Sequence, residues 1–302
     1  MSASSAAAPA VPSLSVIGAG RVGQTLAHLL HRHGLATMTS IWCRQPSHAH
    51  AAADFIGLGQ PCTQWNELQE SEIWLLGVPD SAIAPTAHAL ALHAQQQQWK
   101  PSMAFHCSGY CASDQLQSLR ALGWSVASVH PALNFANPQE SVRQFANTLC
   151  GIEGDTSLAS WLQHAMTGIG GQAFALRADT KALYHAAAVF CSNFTIALQD
   201  IAQQAWRQAG LPPDVALALN RQLLEVSVRN ALNLGPAAAI TGPAARGDAQ
   251  VVQDQYACVA QWSSAAGDIY KLMSNAAYRL ASQRNALHDN TPSLLDRTSP
   301  PA

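Results

Sequence analysis

The chain has 302 residues, 48% of them hydrophobic, which is enough for about two domains that each bury a hydrophobic core. Sixteen basic and eighteen acidic residues leave a formal charge of −2, so no basic surface is predicted for nucleic acid or an anionic membrane. We therefore expect a small-molecule ligand, with no nucleic-acid partner and no membrane partner.

The cysteines and the chain start bear on the compartment. Seven cysteines form no CxxC pair and no regular framework, as expected for reduced thiols in the cytoplasm. The first 13 residues lack the pattern of a secretory signal, and no run reaches the roughly 18 to 20 apolar residues of a membrane helix. His48 and His50 lack a carboxylate or thiol partner, so no metal site is predicted. These features favour a soluble cytoplasmic protein.

The first part of the chain alternates short apolar runs with segments of helical period. From Leu14 onward this alternation is typical of βαβ units that build a parallel sheet. A helix is predicted from about Asp155. Strands are predicted at residues 14–18, 39–43, 72–78, 102–106, 124–130, 148–154 and 172–176, with a weaker candidate within 57–65.

The rest of the chain has a different pattern. Beyond Arg177, Leu, Ala and Val recur at spacings of three and four residues, interrupted by Gly- and Pro-rich stretches. We therefore predict an all-helical second domain. The predicted organisation is a flexible tail over 1–13, an α/β domain over 14–176, a helical domain over 177–288 and a flexible tail over 289–302.

The sequence GAGRVG at 18–23 follows the first strand and precedes an amphipathic helix. Gly18 allows a tight turn, Gly20 lets the backbone approach a pyrophosphate, and Gly23 permits close packing of helix on strand. The helix start at Arg21 and Val22 offers free N–H groups to the anion. This context predicts a Rossmann-type dinucleotide-binding domain, and the alternative is a tight structural turn.

The end of the second strand favours one nucleotide. NAD-binding domains usually carry Asp or Glu at this point for the ribose 2′-hydroxyl. Here Arg44 and Ser47 stand instead and suit a 2′-phosphate. We therefore expect NADP as the cofactor, with NAD the less favoured alternative, although Arg44 is also compatible with a solvated residue at a helix start.

Two more loops follow the carboxyl ends of predicted strands, where open α/β sheets bind ligands. Val78 and Pro79 are predicted to frame the nicotinamide. Ser108 and Gly109 are predicted to offer a hydroxyl and an N–H group to a substrate oxygen, and the alternative is ordinary turn chemistry. His106 and His130 end apolar strands, and for both a structural hydrogen bond is the favoured interpretation.

Residues 177–194 are predicted to form one buried helix with a polar stripe. At 100° per residue, Lys181, His185, Ala188 and Ser192 lie within about 60° of one another, with Tyr184 beside them. A polar stripe in an apolar helix faces a partner or a ligand. Lys181 and His185 are therefore candidate catalytic residues and Ser192 a candidate substrate contact. The alternative is a solvated lysine and a hydrogen-bonded core histidine.

The stretch ITGPAARGD at 240–248 supplies a last candidate. Arg246 is predicted to bind a substrate carboxylate through two hydrogen bonds. The alternative is a local ion pair between Arg246 and Asp248, with Asp248 capping the next helix.

Several of these motifs together resemble a known family. VIGAGRVG, GVPDSAI, HCSG, SVHPALNF, EGD, YHAAAVFCSNF and TGPAARGDAQVVQDQ occur in this order. They resemble Rossmann proteins with a C-terminal helical domain of unknown function, related to deazaflavin-dependent NADP oxidoreductases and pyrroline-5-carboxylate reductases. The resemblance implies an NADP-binding domain, a helical domain like that of 6-phosphogluconate dehydrogenase, and a homodimer formed through the helices.

A more distant resemblance concerns the helix that enters the second domain. In β-hydroxyacid dehydrogenases this helix carries a catalytic lysine followed four residues later by asparagine. Lys181 and His185 have this spacing, with His185 in place of the asparagine.

The predicted function is an NADP-dependent oxidoreductase that transfers hydride to or from a small carbonyl or imine. Lys181 or His185 would protonate or stabilise the reacting oxygen or nitrogen, and Ser108 would orient the substrate. The alternative is a non-catalytic NADP-binding sensor or scaffold dimer.

Overall fold

The computed structural model describes residues 11–285. Within this range, contacts between Cα atoms divide the chain into two compact units, the first ending at Cys191 and the second beginning at Ser192. The tails predicted over 1–13 and 289–302 lie outside the described residues, apart from positions 11–13, which lead into the first strand.

Eight strands of the first unit form one sheet in the order β3-β2-β1-β4-β5-β6-β7-β8. The first six follow the 3-2-1-4-5-6 order of a dinucleotide-binding sheet and are parallel, whereas β7 is antiparallel to β6 and parallel to β8. The predicted Rossmann-type fold class is confirmed. The strands are β1 (Ser13–Ile17), β2 (Thr37–Trp42), β3 (Gln60–Cys62), β4 (Ile73–Leu76), β5 (Met103–His106), β6 (Ser125–Pro131), β7 (Leu149–Gly154) and β8 (Gln172–Ala175).

Helices of the first unit connect and cover these strands. They are α1 (Arg21–Arg32), α2 (Pro46–Ile56), α3 (Asp80–Gln96), α4 (Gln117–Arg120), α5 (Pro138–Gln144), α6 (Thr156–Gly168) and α7 (Lys181–Cys191), with 3₁₀ turns at Trp65–Glu67, Ser113–Leu116 and Ala178–Thr180. The contacts of α7 place it in the first unit, whereas the predicted boundary at residue 177 precedes this helix because the strand pattern ends there.

The strands fill two cores, one on each face of the sheet. In β4, Ile73 and Leu75 pack into one core and Trp74 and Leu76 into the other, as the two-residue period of a strand requires. Both faces are apolar because helices cover both sides of a parallel sheet. Ser108 and Gly109 of the candidate site follow β5, beyond its carboxyl end.

The second unit is helical, as predicted from the sequence. Its helices are α8 (Asn193–Gln208), α9 (Pro213–Leu234), α10 (Pro236–Ala239), α11 (Pro243–Arg246), α12 (Ala249–Trp262) and α13 (Ser264–Asn285). Val252 of α12 is fully buried and packs against Tyr256 and Tyr270. No helix within residues 11–285 is long and apolar enough to cross a bilayer.

Candidate active site at the carboxyl edge of the sheet

The glycine motif forms the turn between β1 and α1. Gly18 has φ +81°, and a Cβ built on it would lie 2.5 Å from Val78 Cγ1, so only glycine fits there. A Cβ on Gly23 would lie 3.0 Å from the Gly18 carbonyl oxygen. A Cβ on Gly20 would meet nothing closer than the Gly77 carbonyl oxygen at 3.7 Å. The Gly20 α-carbon thus borders open space and a ligand can approach the backbone.

The N-terminus of α1 suits an anion. The helix begins at Arg21 after Gly20, without a side-chain cap and without an acidic residue in its first turn. The first N–H groups of a helix lack partners within the helix and carry partial positive charge, which attracts phosphate. Arg21 is exposed and Val22 half-buried. The residues predicted to contact the pyrophosphate therefore lie in one segment, the turn between β1 and α1 and the first turn of α1.

The residues predicted to bind a 2′-phosphate follow β2. The Gly18 N–H donates to the Trp42 carbonyl oxygen at 2.8 Å, which joins the glycine turn to the end of this strand. Arg44 and Ser47 come directly after it and are exposed. Within residues 11–285 Arg44 forms no ion pair. Its guanidinium is therefore available to a ligand.

The residues predicted to frame the nicotinamide follow β4. The Gly77 N–H donates to the Ile17 carbonyl oxygen at 2.8 Å, so this loop begins beside the glycine turn. Val78 is half-buried, and Pro79 is exposed and precedes α3. The ends of β1 and β4 therefore lie side by side at one edge of the sheet.

The loop after β5 is organised by Ser108 and His106. The Ser108 hydroxyl accepts hydrogen bonds from the N–H groups of Tyr110 at 3.1 Å and Cys111 at 2.8 Å. His106 Nδ1 accepts from the Ser108 N–H at 3.2 Å, and Nε2 donates to the Ala112 carbonyl oxygen at 3.0 Å. Burial lowers the pKa of His106 to about 4, so this histidine is neutral and supports the loop.

Lys181, the first residue of α7, is buried with 1% of its surface exposed. Its ammonium donates to the Ser108 carbonyl oxygen at 2.9 Å and to the Ser128 hydroxyl, and lies 3.7 Å from Glu153 Oε1. Burial lowers the pKa of Lys181, and the Glu153 carboxylate opposes this effect. The three donors of the ammonium are thus directed at groups of the first unit.

Glu153 of β7 is the acceptor at the centre of this network. Its Oε1 accepts from the Ser113 N–H at 2.8 Å and from the Ser128 hydroxyl at 2.6 Å, and its Oε2 accepts from the Ser113 hydroxyl at 2.8 Å. Glu153 is 8% exposed. A buried carboxylate requires such partners, and the network joins α7 to β6, β7 and the loop after β5.

Three polar side chains meet next to Gly109. The Tyr184 hydroxyl and His130 Nδ1 share a hydrogen bond of 2.8 Å. A Cβ built on Gly109 would lie 2.6 Å from His185 Nδ1 and 2.8 Å from His130 Nε2. The two imidazole rings are perpendicular, with centroids 5.8 Å apart. One nitrogen of each histidine therefore lies against the Gly109 α-carbon, and a side chain at this position would have to displace both rings.

The protonation of this cluster follows from its surroundings. Burial, with a smaller effect of His185, lowers the pKa of His130 to about 4. Burial also raises the pKa of Tyr184. Near neutral pH the pair is therefore a neutral imidazole and a protonated phenol. His185 Nδ1 is buried without a hydrogen-bond partner among the described residues, as are Trp42 Nε1 and His93 Nε2.

The predicted site residues divide into two sets. Lys181 and His185 lie with the loop residues Ser108 and Gly109 in one cluster of the first unit. The other predicted substrate contacts, Ser192 and Arg246, belong to the second unit. Arg246 forms an exposed ion pair with Asp248, with Nη2 and Oδ2 2.9 Å apart. This ion pair is the predicted alternative to a substrate contact by Arg246. Asp248 does not cap the next helix through its side chain.

The helix predicted over 177–194 is wrong in two respects. The segment is divided into a 3₁₀ turn, α7 and the start of α8, and the break between the two helices lies at Ser192. Ser192 therefore does not continue the stripe of Lys181 and His185. The helix is also not buried: Leu183 is 76% exposed, and Lys181 is the buried residue of α7. The apolar composition of the segment predicted burial, but a large apolar face of α7 is not covered by other described residues.

Several residues of the cluster were not predicted as site residues. Glu153, Ser113 and Ser128 form the network around Lys181. One feature of the sequence could have indicated this network. Glu153 is an isolated carboxylate in the otherwise apolar strand TLCGIEG, and a buried carboxylate requires a partner. His130 was assigned a structural hydrogen bond because it ends an apolar strand, and its partner Tyr184, 54 positions away, was not predicted.

Comparison with known proteins agrees with the fold and with the family resemblance. Residues 148–277 match a family described as a domain of unknown function, DUF2520. No curated protein matches the sequence. The resemblance drawn from the motifs is confirmed, because the structures that share the fold include NADP oxidoreductases and pyrroline-5-carboxylate reductases.

Three solved structures illustrate the similarity. Protein TM1727 from Thermotoga maritima is 23% identical with a TM-score of 0.70, over 90% of this chain and 100% of that one. A putative NADP oxidoreductase, BF3122 from Bacteroides fragilis, is 22% identical with a TM-score of 0.71, over 89% and 98%. An imine reductase from Myxococcus stipitatus in complex with NADP⁺ is 18% identical with a TM-score of 0.61, over 95% and 99%. At these identities the likeness establishes a shared fold.

Proposed function

We propose that the protein is an NADP-dependent oxidoreductase that transfers hydride to or from a small carbonyl or imine. The observation that carries the proposal is the cluster beside Gly109, where His130, Tyr184 and His185 meet at the carboxyl edge of a dinucleotide-binding sheet. Open α/β sheets bind their ligands at this edge. The NADP-bound imine reductase of the same fold supports this choice of chemistry.

The residues around the glycine turn fit NADP. The open backbone at Gly20 and the uncapped start of α1 suit the pyrophosphate. Arg44 and Ser47 would hold the 2′-phosphate, and Val78 and Pro79 would border the nicotinamide. When bound, this cofactor would supply or accept the hydride.

The buried cluster assigns different roles to the candidate residues. Lys181 would act as a positioning residue, because its ammonium already holds the Ser108 carbonyl oxygen and lies in an ion pair with Glu153. His185 would line the site beside His130, since its Nδ1 lies against Gly109 in the loop that carries Ser108. The Ser108 hydroxyl keeps the loop in shape and leaves its hydrogen for a substrate oxygen.

Two measurements test the proposal. Thermal shift with NADPH and NADH should show stabilisation that is larger with NADPH. NADPH oxidation should then follow on addition of small ketones, ketoacids or cyclic imines. No shift with either nucleotide would contradict the cofactor assignment, and binding without turnover across the panel would favour an NADP-binding sensor or scaffold.

A homodimer formed through the helical unit is part of the proposal. Apolar side chains on α9 and α13 are exposed, including Leu217, Leu232 and Leu272. Exposed apolar surface of this extent is typical of an interface. The cytoplasmic location stays a prediction from the sequence.

A further inference from the structure

We propose that His130 is the catalytic acid–base residue of this site and that Tyr184 positions it. In this arrangement Nε2 of His130 contacts an uncharged carbonyl oxygen or imine nitrogen of the substrate. The inference rests on the proposed function and deepens it, because it names the proton donor and the chemical group that the donor meets.

The hydrogen bonds of the His130 ring separate the roles of its two nitrogens. Nδ1 is engaged with the Tyr184 hydroxyl at 2.8 Å, whereas Nε2 has no hydrogen-bond partner among the described residues and lies beside Gly109. A phenol that donates to Nδ1 leaves the hydrogen of a neutral imidazole on Nε2. His130 is then an oriented donor with one nitrogen free for a ligand.

The charges around Nε2 of His130 favour a substrate that presents an uncharged group to it. Lys181 is the nearby cation, and Glu153 at 3.7 Å offsets its charge. The groups that act electrostatically on His130 are Lys181 and His185 from α7 and Asp80 from α3, while Tyr184 is its hydrogen-bond partner. A carboxylate would meet no uncompensated cation among them, whereas a carbonyl oxygen needs only a donor. Neutral imidazole is a known polarising group for carbonyls.

The proposed step is balanced in atoms and electrons. The hydride, which bound NADPH would supply, brings the electron pair of the new C–H bond. The π pair of the C=O or C=N bond moves to the oxygen or nitrogen and takes the proton from Nε2. Nδ1 takes the Tyr184 proton, and the phenolate takes a proton from solvent, since Tyr184 is a half-buried residue. Substrate oxidation follows the same path in reverse.

Kinetics on the full chain provide the first test. His130→Gln should lower kcat by about 10² or more, with the Kd for NADPH changed by less than about twofold. Gly109→Ala should also lower turnover, because its methyl group would lie 2.6 Å from His185 Nδ1 and 2.8 Å from His130 Nε2 and would displace both rings. The matched control is His164→Gln on the exposed face of α6, which should keep wild-type kcat.

Long-range ¹H–¹⁵N NMR of the imidazoles tests the role of Tyr184 without turnover. In the wild type His130 should be a neutral Nε2–H tautomer near pH 7. Tyr184→Phe should remove this tautomer preference and lower kcat more than it changes KM. A structural role alone would leave the tautomer and kcat unchanged.

The outcomes separate this inference from the proposed function. If the wild type oxidises NADPH and His130→Gln keeps a kcat within about twofold of it, the inference is overturned and the proposed oxidoreductase function is retained. So would a protonated His130 near pH 7 in the wild-type spectrum. Wild type that binds no NADPH and reduces no carbonyl or imine would overturn both.

Discussion

At the scale of single residues, the buried pair of Lys181 and Glu153 dominates the site. Both side chains are almost completely buried, and every hydrogen bond around them joins elements distant in the chain. Removing one partner of a buried pair leaves an uncompensated charge, whereas removing both charges is far less harmful. The pair therefore links folding stability to the geometry of the loop that carries Ser108 and Gly109.

Lys181→Met is accordingly expected to lower the free energy of unfolding by about 3–5 kcal/mol, because Glu153 would be left buried without a cation. The double variant Lys181→Met with Glu153→Gln should recover a large part of this loss. Urea unfolding measures both, with exposed Lys100→Met as the control. A double variant as unstable as the single one would show that charge is not the cause.

Turnover gives a second measure of Lys181. Lys181→Ala should reduce kcat by about 10², since the Ser108 carbonyl oxygen loses its donor and the loop is misplaced, while NADPH binding is retained. Wild-type turnover in this variant would remove Lys181 from the mechanism.

Arg44 is the residue expected to set the choice of cofactor. Arg44→Ala should raise the Kd for NADPH about tenfold or more, because a charge-assisted hydrogen bond to the 2′-phosphate contributes about 1.5–3 kcal/mol. Its Kd for NADH should stay unchanged. Fluorescence titration with both nucleotides measures this, with exposed Arg143→Ala as the control. Equal weakening of both nucleotides would argue against a 2′-phosphate contact.

At the scale of elements, α9 is unusual for its uncovered apolar surface. Of its 22 residues, Ala216 and Asn220 are buried, whereas Leu232 is 81% exposed and Leu217 is 58% exposed. A helix that is apolar on more than one side is normally enclosed by other chain segments. A second copy of the chain is the proposed cover.

Leu232→Asp should therefore shift the protein from dimer to monomer, because a carboxylate would be desolvated in the interface. Light scattering after size-exclusion chromatography, over a dilution series, measures the mass. Leu92→Asp on α3 places the same charge at an exposed leucine of the first unit and should leave the dimer intact. A monomeric wild type, or a dimeric Leu232→Asp variant, would refute this interface.

At the scale of the whole molecule, buried histidines make stability depend on pH. The pKa of His106 falls to about 4 in the folded protein because of burial, against roughly 6.5 when unfolded. The unfolded chain therefore binds more protons between these values. The contribution of His106 is fully present above about pH 6.5 and is lost as the pH falls towards 4.

The wild type should lose about 1.4 kcal/mol per pH unit through His106 over this interval. Urea unfolding at several pH values, compared with His106→Gln, isolates this slope from the effect of the carboxylates. The variant should show the shallower decline, while exposed His164→Gln should follow the wild type. Parallel curves for wild type and His106→Gln would contradict the buried neutral state.

Much of the fold was readable from the sequence because it depends on local periodicity. Short apolar runs between segments of helical period predicted the strands, the helix-period pattern predicted the second unit, and the glycine motif at 18–23 predicted the turn before α1. Even the weak candidate within 57–65 corresponds to β3. The reversal of β7 was not predicted, since periodicity carries no strand direction.

By itself the sequence determined the fold class, the dinucleotide turn and the presence of Lys181 and His185 one helical turn apart. Only the tertiary structure decided what those side chains contact. The register of β6 and β7 brings Ser128 opposite Glu153, and the start of α7 brings Lys181 to both. The physical reason is that a buried polar group is defined by its partners, and these partners are set by packing between distant segments.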